Sequence, residues 1–386
     1  MEAESLIQKT GLSKVQHLLY ITQKSKDNDD IKQAFQMAME EVKKSTKNTT
    51  LYKQIAQSAQ EVAIKVDYDE SWCAETNKKA REQFEIIQDE LQRDKSNGIK
   101  EKIRLSHIDM GHLFFEIGEY TEALKNYMRA KDYCTISEHI IEICHHLIKV
   151  NWMLNNLGTV ESYCMKGLSE NASNDDFHAM LGLCSLVKGR YEQAINAFSK
   201  IGYSSSNKVM LSCALSINDV AKYGVLCAIT SLSRPSLLQL TKNDNFREYL
   251  ELEPLYRDLL SLVSQLKYKE AMVQFKLLLP ELLLDCYVGP HCDKLTQKLK
   301  IVSVVGVFSA FQDIKLESIA EMLGEDMEQV LPQVETLITN GVLQARIDGR
   351  TNTIRNYTPQ YTLDIHAVLQ QAQIVLLKAH PISKSQ

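Results

Sequence analysis

Apolar residues recur at helical spacing through most of this chain, and the recurrence stops at a few polar clusters. The breaks fall at Lys24–Asp30, Lys43–Thr50 and Asp94–Gly98. In the stretch Ser71–Arg93, Trp72, Phe84, Ile87 and Leu91 are spaced toward one side, as an amphipathic helix requires. All seven prolines lie at or after Pro235. Proline has no backbone N–H and is excluded from helix interiors, so the proline-free residues 1–234 are expected to form a long run of stacked helices.

A repeat lies within that run. In residues 107–130, HIDMGHLFFEIGEYTEALKNYMRA, the residues Gly111, Phe114, Ala123, Tyr127 and Ala130 occupy the offsets of a tetratricopeptide-type hairpin. Residues 178–201, HAMLGLCSLVKGRYEQAINAFSKI, place Gly182, Ala194 and Phe198 at the matching offsets. Small residues let two helices approach, and aromatic residues fill the gaps between successive hairpins. The hairpin around Gly158 is degenerate. Ordinary helix pairs in one core would also give small and aromatic residues. The turn Gly-x-Tyr, however, recurs with the pattern at 118–120 and 189–191, which favours a solenoid.

Helical spacing continues from Asp219 to Phe311, with Pro254 where a helix can begin and Gly289-Pro290 ahead of a long apolar helix from His291 to about Phe311. The period then changes. Leu316, Ile319, Ala320 and Leu323 form a short stripe ended by Gly324. Met327, Leu331, Val334, Leu337 and Ile338 form a second, closed by Asn340-Gly341. Val342, Leu343, Ala345 and Ile347 suit a strand, and a turn at Asp348-Gly349 leads to another near Asn352–Tyr357. Helix, helix, hairpin is the winged-helix pattern. Thr362–His380 is again helical in pattern. The expected fold is therefore mainly α: an N-terminal α-solenoid of hairpins, a winged-helix module and a C-terminal helix. The expected boundaries are an N-terminal helical region at 1–104, repeats at 105–218, a helical part at 219–311 joined to a winged helix at 312–357, and a last helix at 358–386.

Composition narrows the function without naming it. The 386 residues are 44% hydrophobic and 24% charged with a formal net charge of −5, so no global basic field draws nucleic acid or anionic membrane. No apolar run reaches membrane-spanning length, and the start, MEAESLIQKTGLSK, lacks the cationic and apolar regions of a signal peptide. Nine cysteines with no C-x-x-C pair are expected to be reduced thiols, mostly in cores, and the sequons at Asn48, Asn171 and Asn356 carry no weight without a secretory signal.

Candidate chemistry is sparse. Neither G-x-x-x-x-G-K-[ST] nor G-x-G-x-x-G occurs, so nucleotide chemistry has no support. His145 and His146 are adjacent, so on a helix they diverge by about 100° and do not easily share one metal. Cys144 beside them, and the loose group Cys286, His291 and Cys292, are expected to be buried thiols and satisfied histidines. No spacing singles out a Cys–His nucleophile pair. A DNA-binding winged helix needs Arg, Lys, Asn or Gln on its recognition helix. The candidate Glu325–Thr339 carries Glu325, Asp326, Glu328 and Glu335 and no Lys or Arg. The hairpin edge, Leu343, Gln344, Ala345, Arg346, Ile347 and Asp348, is the better candidate surface, open to strand addition by a neighbour.

Five segments carry a resemblance: YGVLCAI (223–229), SRPSLLQL (233–240), NFREYLELEPLYRDLL (245–260), LLLDCYVGPH (282–291) and QARID (344–348). With the solenoid and winged helix, they resemble the PCI-domain family, scaffold subunits of the proteasome lid, the COP9 signalosome and translation initiation factor 3. They look most like its signalosome branch. The resemblance covers roughly residues 105–380, and the N-terminal hundred match poorly. Two local departures are SVVGVFSAF (303–311) and the hairpin turn Gly-Arg-Thr-Asn-Thr (349–353). Tyr223, Gly224, Cys227, Arg234, Phe246, Leu252, Pro254, Arg257, Asp258, Leu284, Asp285, Pro290 and His291 stand at the family-motif positions. Among these, Arg234, Arg257, Asp258, Asp285 and His291 fit either an interaction site or caps and intrachain ion pairs.

The resemblance implies a non-catalytic scaffold without cofactor or metal, in cytoplasm and nucleus. Its hetero-oligomeric partners would be other PCI and MPN subunits of the COP9 signalosome, with cullin-RING ligases reached indirectly and no nucleic acid or membrane. The complex removes the ubiquitin-like protein NEDD8 from cullins through a zinc subunit with a His-x-His pair, which this chain lacks. The resemblance further implies that Ile365, Val368, Leu369, Ala372, Val375 and Leu376 form one face of a helix in a shared C-terminal bundle, or else pack back on the winged helix. The alternatives are a proteasome-lid subunit of the same family and, from another class, a winged-helix nucleic-acid-binding regulator.

Overall fold

A computed structural model describes residues 9–25, 27–171, 174–202, 214–324 and 326–356. The polar clusters end helices and cap the next ones. Helices α1 (Gly11–Lys24), α2 (Asn28–Ser45) and α3 (Thr49–Glu61) are separated at two of them. Asp27 accepts from the Asp29 N–H at 3.1 Å and Asn48 from the Leu51 N–H at 2.8 Å, so each break satisfies N–H groups that a helix start leaves free. The apolar faces of these helices bury Leu18, Phe35, Met39, Tyr52 and Ile55 in one cluster. The long helix α4 (Glu70–Asn97) follows, capped by Asp69 and ended at Gly98.

Three hairpins come next: α5 (Lys100–Ile117) with α6 (Tyr120–Lys131), α7 (Ser137–Met153) with α8 (Leu157–Glu170), and α9 (Asp175–Val187) with α10 (Tyr191–Phe198). The repeated turn has a backbone cause, since Gly118 and Gly189 sit at φ 94° and 74°, where a side chain is strained. In the degenerate middle hairpin Asn155 takes that role at φ 58°. A Cβ on Gly111 would lie 2.5 Å from the Tyr127 ring, and one on Gly182 2.5 Å from the Phe198 ring. The small residues therefore seat the aromatic of their own hairpin. Tyr127 also stacks on His146 of the following hairpin at 5.1 Å.

Helix α11 (Ile217–Ser231) is buried at every position from Asp219 to Thr230, and its two charged residues there are paired, Asp219 with Lys9 and Lys222 with Glu281. Helices α12 (Arg234–Leu240), α13 (Asp244–Leu252), α14 (Pro254–Ser264) and α15 (Tyr268–Leu283) follow. Then come a 3₁₀ turn at Gly289–His291 and α16 (Cys292–Ser309), slightly shorter at both ends than its apolar run. Pro254 opens α14 as expected, but Pro280 lies inside α15 and Pro332 inside a later helix, so the exclusion of proline from helix interiors does not hold here.

The described residues fall into two compact units. One takes those up to Ser264 together with Val273–Lys298; the other takes Gln265–Met272 and those from Leu299 onward. The second unit holds β1 (Asp313–Lys315), α17 (Leu316–Leu323), α18 (Met327–Thr339), β2 (Ala345–Asp348) and β3 (Thr353–Asn356). Its antiparallel sheet has the order β1-β3-β2, with Ile314 and Ile347 both opposite Ile354. Strand β1 was not expected. It is three residues long with only Ile314 buried, too short for alternation to register. Val342 and Leu343, expected in the strand, precede it. This is a helical-repeat chain leading into a winged helix. The residues Ile365, Val368, Leu369, Ala372, Val375 and Leu376 lie outside the described residues.

Candidate interaction surfaces and a buried polar centre

The family-motif residues divide by location. Tyr223, Gly224 and Cys227 lie on the buried helix α11, and a Cβ on Gly224 would lie 2.6 Å from the ring of the buried Phe246, so α11 and α13 meet without room for a side chain. The Arg234 Nε donates to the Ser264 carbonyl at 3.1 Å, satisfying a carbonyl at the end of α14. His291 bridges the Tyr191 hydroxyl at 3.3 Å and the Val187 carbonyl at 3.1 Å, and burial lowers its pKa. Arg257 pairs with Glu251 at 2.9 Å and Asp258 at 3.2 Å in an exposed network, while Leu252 and Pro254 are exposed beside it. Leu284 packs against the N-terminal apolar cluster, and Pro290 is exposed in the 3₁₀ turn.

Asp285 is the centre of a larger arrangement. Its Oδ1 accepts from the backbone N–H groups of Tyr287 at 2.8 Å and Val288 at 3.0 Å, and its Oδ2 accepts from the Tyr223 hydroxyl at 2.7 Å. Lys9, ahead of α1, projects its ammonium into the same space. The Nζ lies 2.5 Å from His17 Nε2, 3.4 Å from Asp219 and 3.6 Å from Asp285. Cys286 Sγ lies 3.3 Å from His17 Nε2. Burial opposes the charge on Lys9, yet Asp219 and Asp285 hold its pKa above the ordinary value. Burial also opposes the Asp285 carboxylate, but Lys9 and then His17, 3.6 Å away, keep it well below the usual range. Burial, then the Asp285 charge, pushes the Cys286 thiol up, and burial does the same to the Tyr223 hydroxyl. These groups come from both ends of the first unit, so the N-terminal residues complete its core.

Among the described residues, His17, Asp285 and Cys286 are the group of three whose ligand atoms converge, within 4.8 Å of one another. They do not suit a metal. The Lys9 ammonium stands among them as the cation, and Cys286 is held as a thiol where a metal needs a thiolate. The paired Asp285 carboxylate with buried Lys9 and His17 makes a clamp that ties the N-terminal residues to the turn at 285–288.

Both nitrogens of His291 are engaged, by Tyr191 and Val187, and Cys286 faces His17. Lys9 and His17 were missed. They stand more than 200 residues from their partners and belong to no local motif. His145 stacks on Phe177 at 4.4 Å and His146 on Tyr127, and burial takes their pKa values down to about 4 and about 3.

In the second unit, β2 is one of two outer strands of the sheet, with β1 the other, and β3 covers only one of its edges. Arg346 and Asp348 are exposed on it, Ile347 is half-buried and Ala345 is buried. Leu343 is buried and Gln344 exposed just before it. Among the described residues, no strand pairs with the edge of β2 away from β3, and charged Arg346 and Asp348 stand on that strand. On α18, Glu328 and Glu335 are exposed, so the outer face of the would-be recognition helix carries the same sign as phosphate. Among the described residues, no helix is long and apolar enough to cross a membrane.

The winged helix after helical repeats defines the class: residues 278–355 match the PCI domain, and residues 69–240 match 26S proteasome subunit RPN7. Within that class it resembles COP9 signalosome complex subunit 1. It is 28% identical to that protein of Arabidopsis thaliana over 96% of this chain and 88% of the relative. It is 31% identical to subunit 1b of Drosophila melanogaster over 78% of this chain, and the match spans 59% of that relative's length. The Schizosaccharomyces pombe protein is 22% identical over 87% of this chain. The similarity reaches into the N-terminal hundred residues, further than the motif segments alone imply.

Proposed function

We propose that this chain is a non-catalytic scaffold subunit of the COP9 signalosome, supporting NEDD8 removal from cullin-RING ligases by positioning the metalloprotease subunit and its substrate. The observation that carries this reading is the similarity to signalosome subunit 1 along 96% of the chain. The exposed β2 edge supports it: a partner's winged helix would add a strand there, at Ala345–Asp348. The helix containing Ile365, Val368, Leu369, Ala372, Val375 and Leu376 would join a bundle with the C-terminal helices of other subunits. Leu369→Asp with Leu376→Asp should then leave the free chain folded and exclude it from the complex. Loss of folded chain would mean that the stripe packs internally.

The match to the RPN7 proteasome subunit favours one rival, membership of the proteasome lid. Affinity purification of the tagged endogenous protein with mass spectrometry separates the two. Recovery of other signalosome subunits is expected, whereas recovery of proteasome ATPases without them overturns the proposal.

A further inference from the structure

Helix α1 has two different faces. Val15, Leu18 and Ile21 join Phe35, Met39, Tyr52 and Ile55 in a cluster that α1, α2 and α3 keep largely to themselves; Leu284 is the residue from beyond the start of α4 that packs against it. The other face, Ser13, Gln16, His17 and Tyr20, carries polar atoms and meets the rest of the unit. The Ser13 hydroxyl donates to the Ala214 carbonyl at 3.1 Å, and Gln16 accepts from the Tyr287 hydroxyl at 3.4 Å. His17 packs edge-on against the Tyr287 ring at 5.0 Å, beside Cys286. The Tyr20 hydroxyl fills the space where a Cβ on Gly289 would lie, 2.6 Å away. Lys9 supplies the cation between Asp219 and Asp285. At their far end the three helices are held differently. The Lys47 N–H donates to the Glu116 carbonyl at 3.0 Å, Lys43 pairs with Asp69 at 2.9 Å, and the Tyr52 ring packs on Trp72 at 5.0 Å. Polar groups that part from one another can be taken up by water, whereas parting an apolar cluster exposes it.

We propose that α1, α2 and α3 form a hinged lid, anchored at the α2–α3 corner and the start of α4 and latched by Lys9, which opens from Ala214, Asp219, Tyr223 and the turn at 285–291 with its own apolar cluster intact. Opening of this kind is local and leaves the hairpins α5 to α10 closed. It uncovers Cys286 and the polar face of α1 and keeps Cys73 covered, because Cys73 belongs to the lid's cluster. The inference stands whether or not the chain is a signalosome subunit.

Cysteine accessibility in the full chain tests it. Cys286 lies under the lid, Cys73 within its cluster, and Cys144, Cys164, Cys184 and Cys227 are buried elsewhere in the unit. The chain is pulsed with iodoacetamide at constant pH, and labelling is read at each cysteine by peptide mass spectrometry. Lys9→Met should raise the rate at Cys286 at least tenfold and leave the others within twofold. Loss of the ammonium alone would slow Cys286, since that charge favours its thiolate, so a faster rate reports opening. Gln16→Ala, which leaves the cation in place, should give the same pattern at smaller amplitude. The thiol introduced by Ser13→Cys, on the lid's polar face, should label in step with Cys286. No change at Cys286 in either variant overturns the proposal. Cys73 rising with Cys286 would mean that α1 unravels from its own cluster, and all cysteines rising together that the latch supports only global stability. Labelling of Cys286 while the Ser13→Cys thiol stays protected would mean that the turn frays alone. Each of these outcomes removes the lid.

Discussion

The polar centre around Asp285 and the edge of β2 use backbone polarity in opposite ways. At the centre, two backbone N–H groups and a phenol donate to the Asp285 carboxylate and the Lys9 ammonium faces it, so its polar groups are directed at one another. At the edge, one side of a short strand has no paired strand among the described residues. Polar groups closed on themselves fix the geometry of a chain, and polar groups left open are where another chain can be read. The dense motif block from Tyr223 to His291 thus belongs mostly to the first kind, and the sparse hairpin to the second.

The largest expected effect breaks the centre. Asp285→Ala leaves the Tyr223 hydroxyl and two backbone N–H groups unpaired and removes one of the two carboxylates facing Lys9. Removing one partner of a buried ion pair costs about 3–5 kcal/mol, and urea denaturation followed by circular dichroism should show a loss of that order. The sign with pH follows from the shifts. The lowered pKa of Asp285 gives stability that is present above the unfolded value and is lost only in strong acid. The raised pKa of Lys9 gives stability that is lost only as pH rises through its folded value, above 10.5. The centre should therefore be insensitive to pH from mild acid to about 9, above which the unfolded chain ionises the Cys286 thiol that the fold keeps protonated.

The edge should respond through assembly alone. Arg346→Pro places a residue without an N–H in the outer strand and, on the proposed function, should reduce recovery of partner subunits at least tenfold. The melting of the all-helical unit should stay where it is. Arg346→Glu, which keeps the backbone donor, should retain most of the recovery. If both variants assemble normally, strand addition at β2 is wrong.

How much of this contrast could be read in advance depends on range. Helix breaks, hairpin turns and the winged helix are local: Gly118 and Gly189 announce turns by residue type, and Asn48 caps the helix that follows it. Strand β1 has three residues and one apolar position, so it leaves no period to detect. The polar centre is the opposite case. Asp285 and Tyr223 lie in recognisable segments, but Lys9 and His17 acquire meaning only when the fold closes more than 200 residues of chain. Charge on α18 could be counted in the sequence. The Lys47–Glu116 pair at 2.7 Å could not, because it depends on two segments far apart in the chain packing together.

Two intermediate effects sharpen the comparison within the buried class. Gly224→Ala forces a methyl into the Phe246 ring, and overpacking of this kind costs about 1–3 kcal/mol. Gly98→Ala, where a Cβ meets nothing within 4 Å, should show only the backbone strain of its φ of 66°. His145 and His146, with pKa values lowered to about 4 and about 3 by burial, bind protons more readily in the unfolded chain. Stability should therefore fall as pH drops from about 6.5 toward 4, by roughly 1.4 kcal/mol per pH unit for each group. His146→Asn should flatten that slope, measured as urea midpoints across the range. An unchanged slope would mean that these rings do not set the acid sensitivity.

The smallest expected effect is the most discriminating for the motif block itself. Arg257 and Asp258 belong to the same conspicuous run as Phe246 and Pro254, yet Arg257 forms its ion pairs with Glu251 and Asp258 among exposed side chains. Exposed pairs contribute little, because water and salt screen them and two long side chains must be ordered to form them. Arg257→Ala should leave the melting temperature of the helical unit unchanged, in contrast to Asp285→Ala. If the same substitution lowers recovery of partner subunits, this corner of the block, with Leu252 and Leu255 exposed beside it, is an open surface of the same kind as the β2 edge. If it destabilises the free chain instead, the Glu251–Arg257–Asp258 network is part of what fixes α13 against α14, and the division between closed and open polar groups fails at this point.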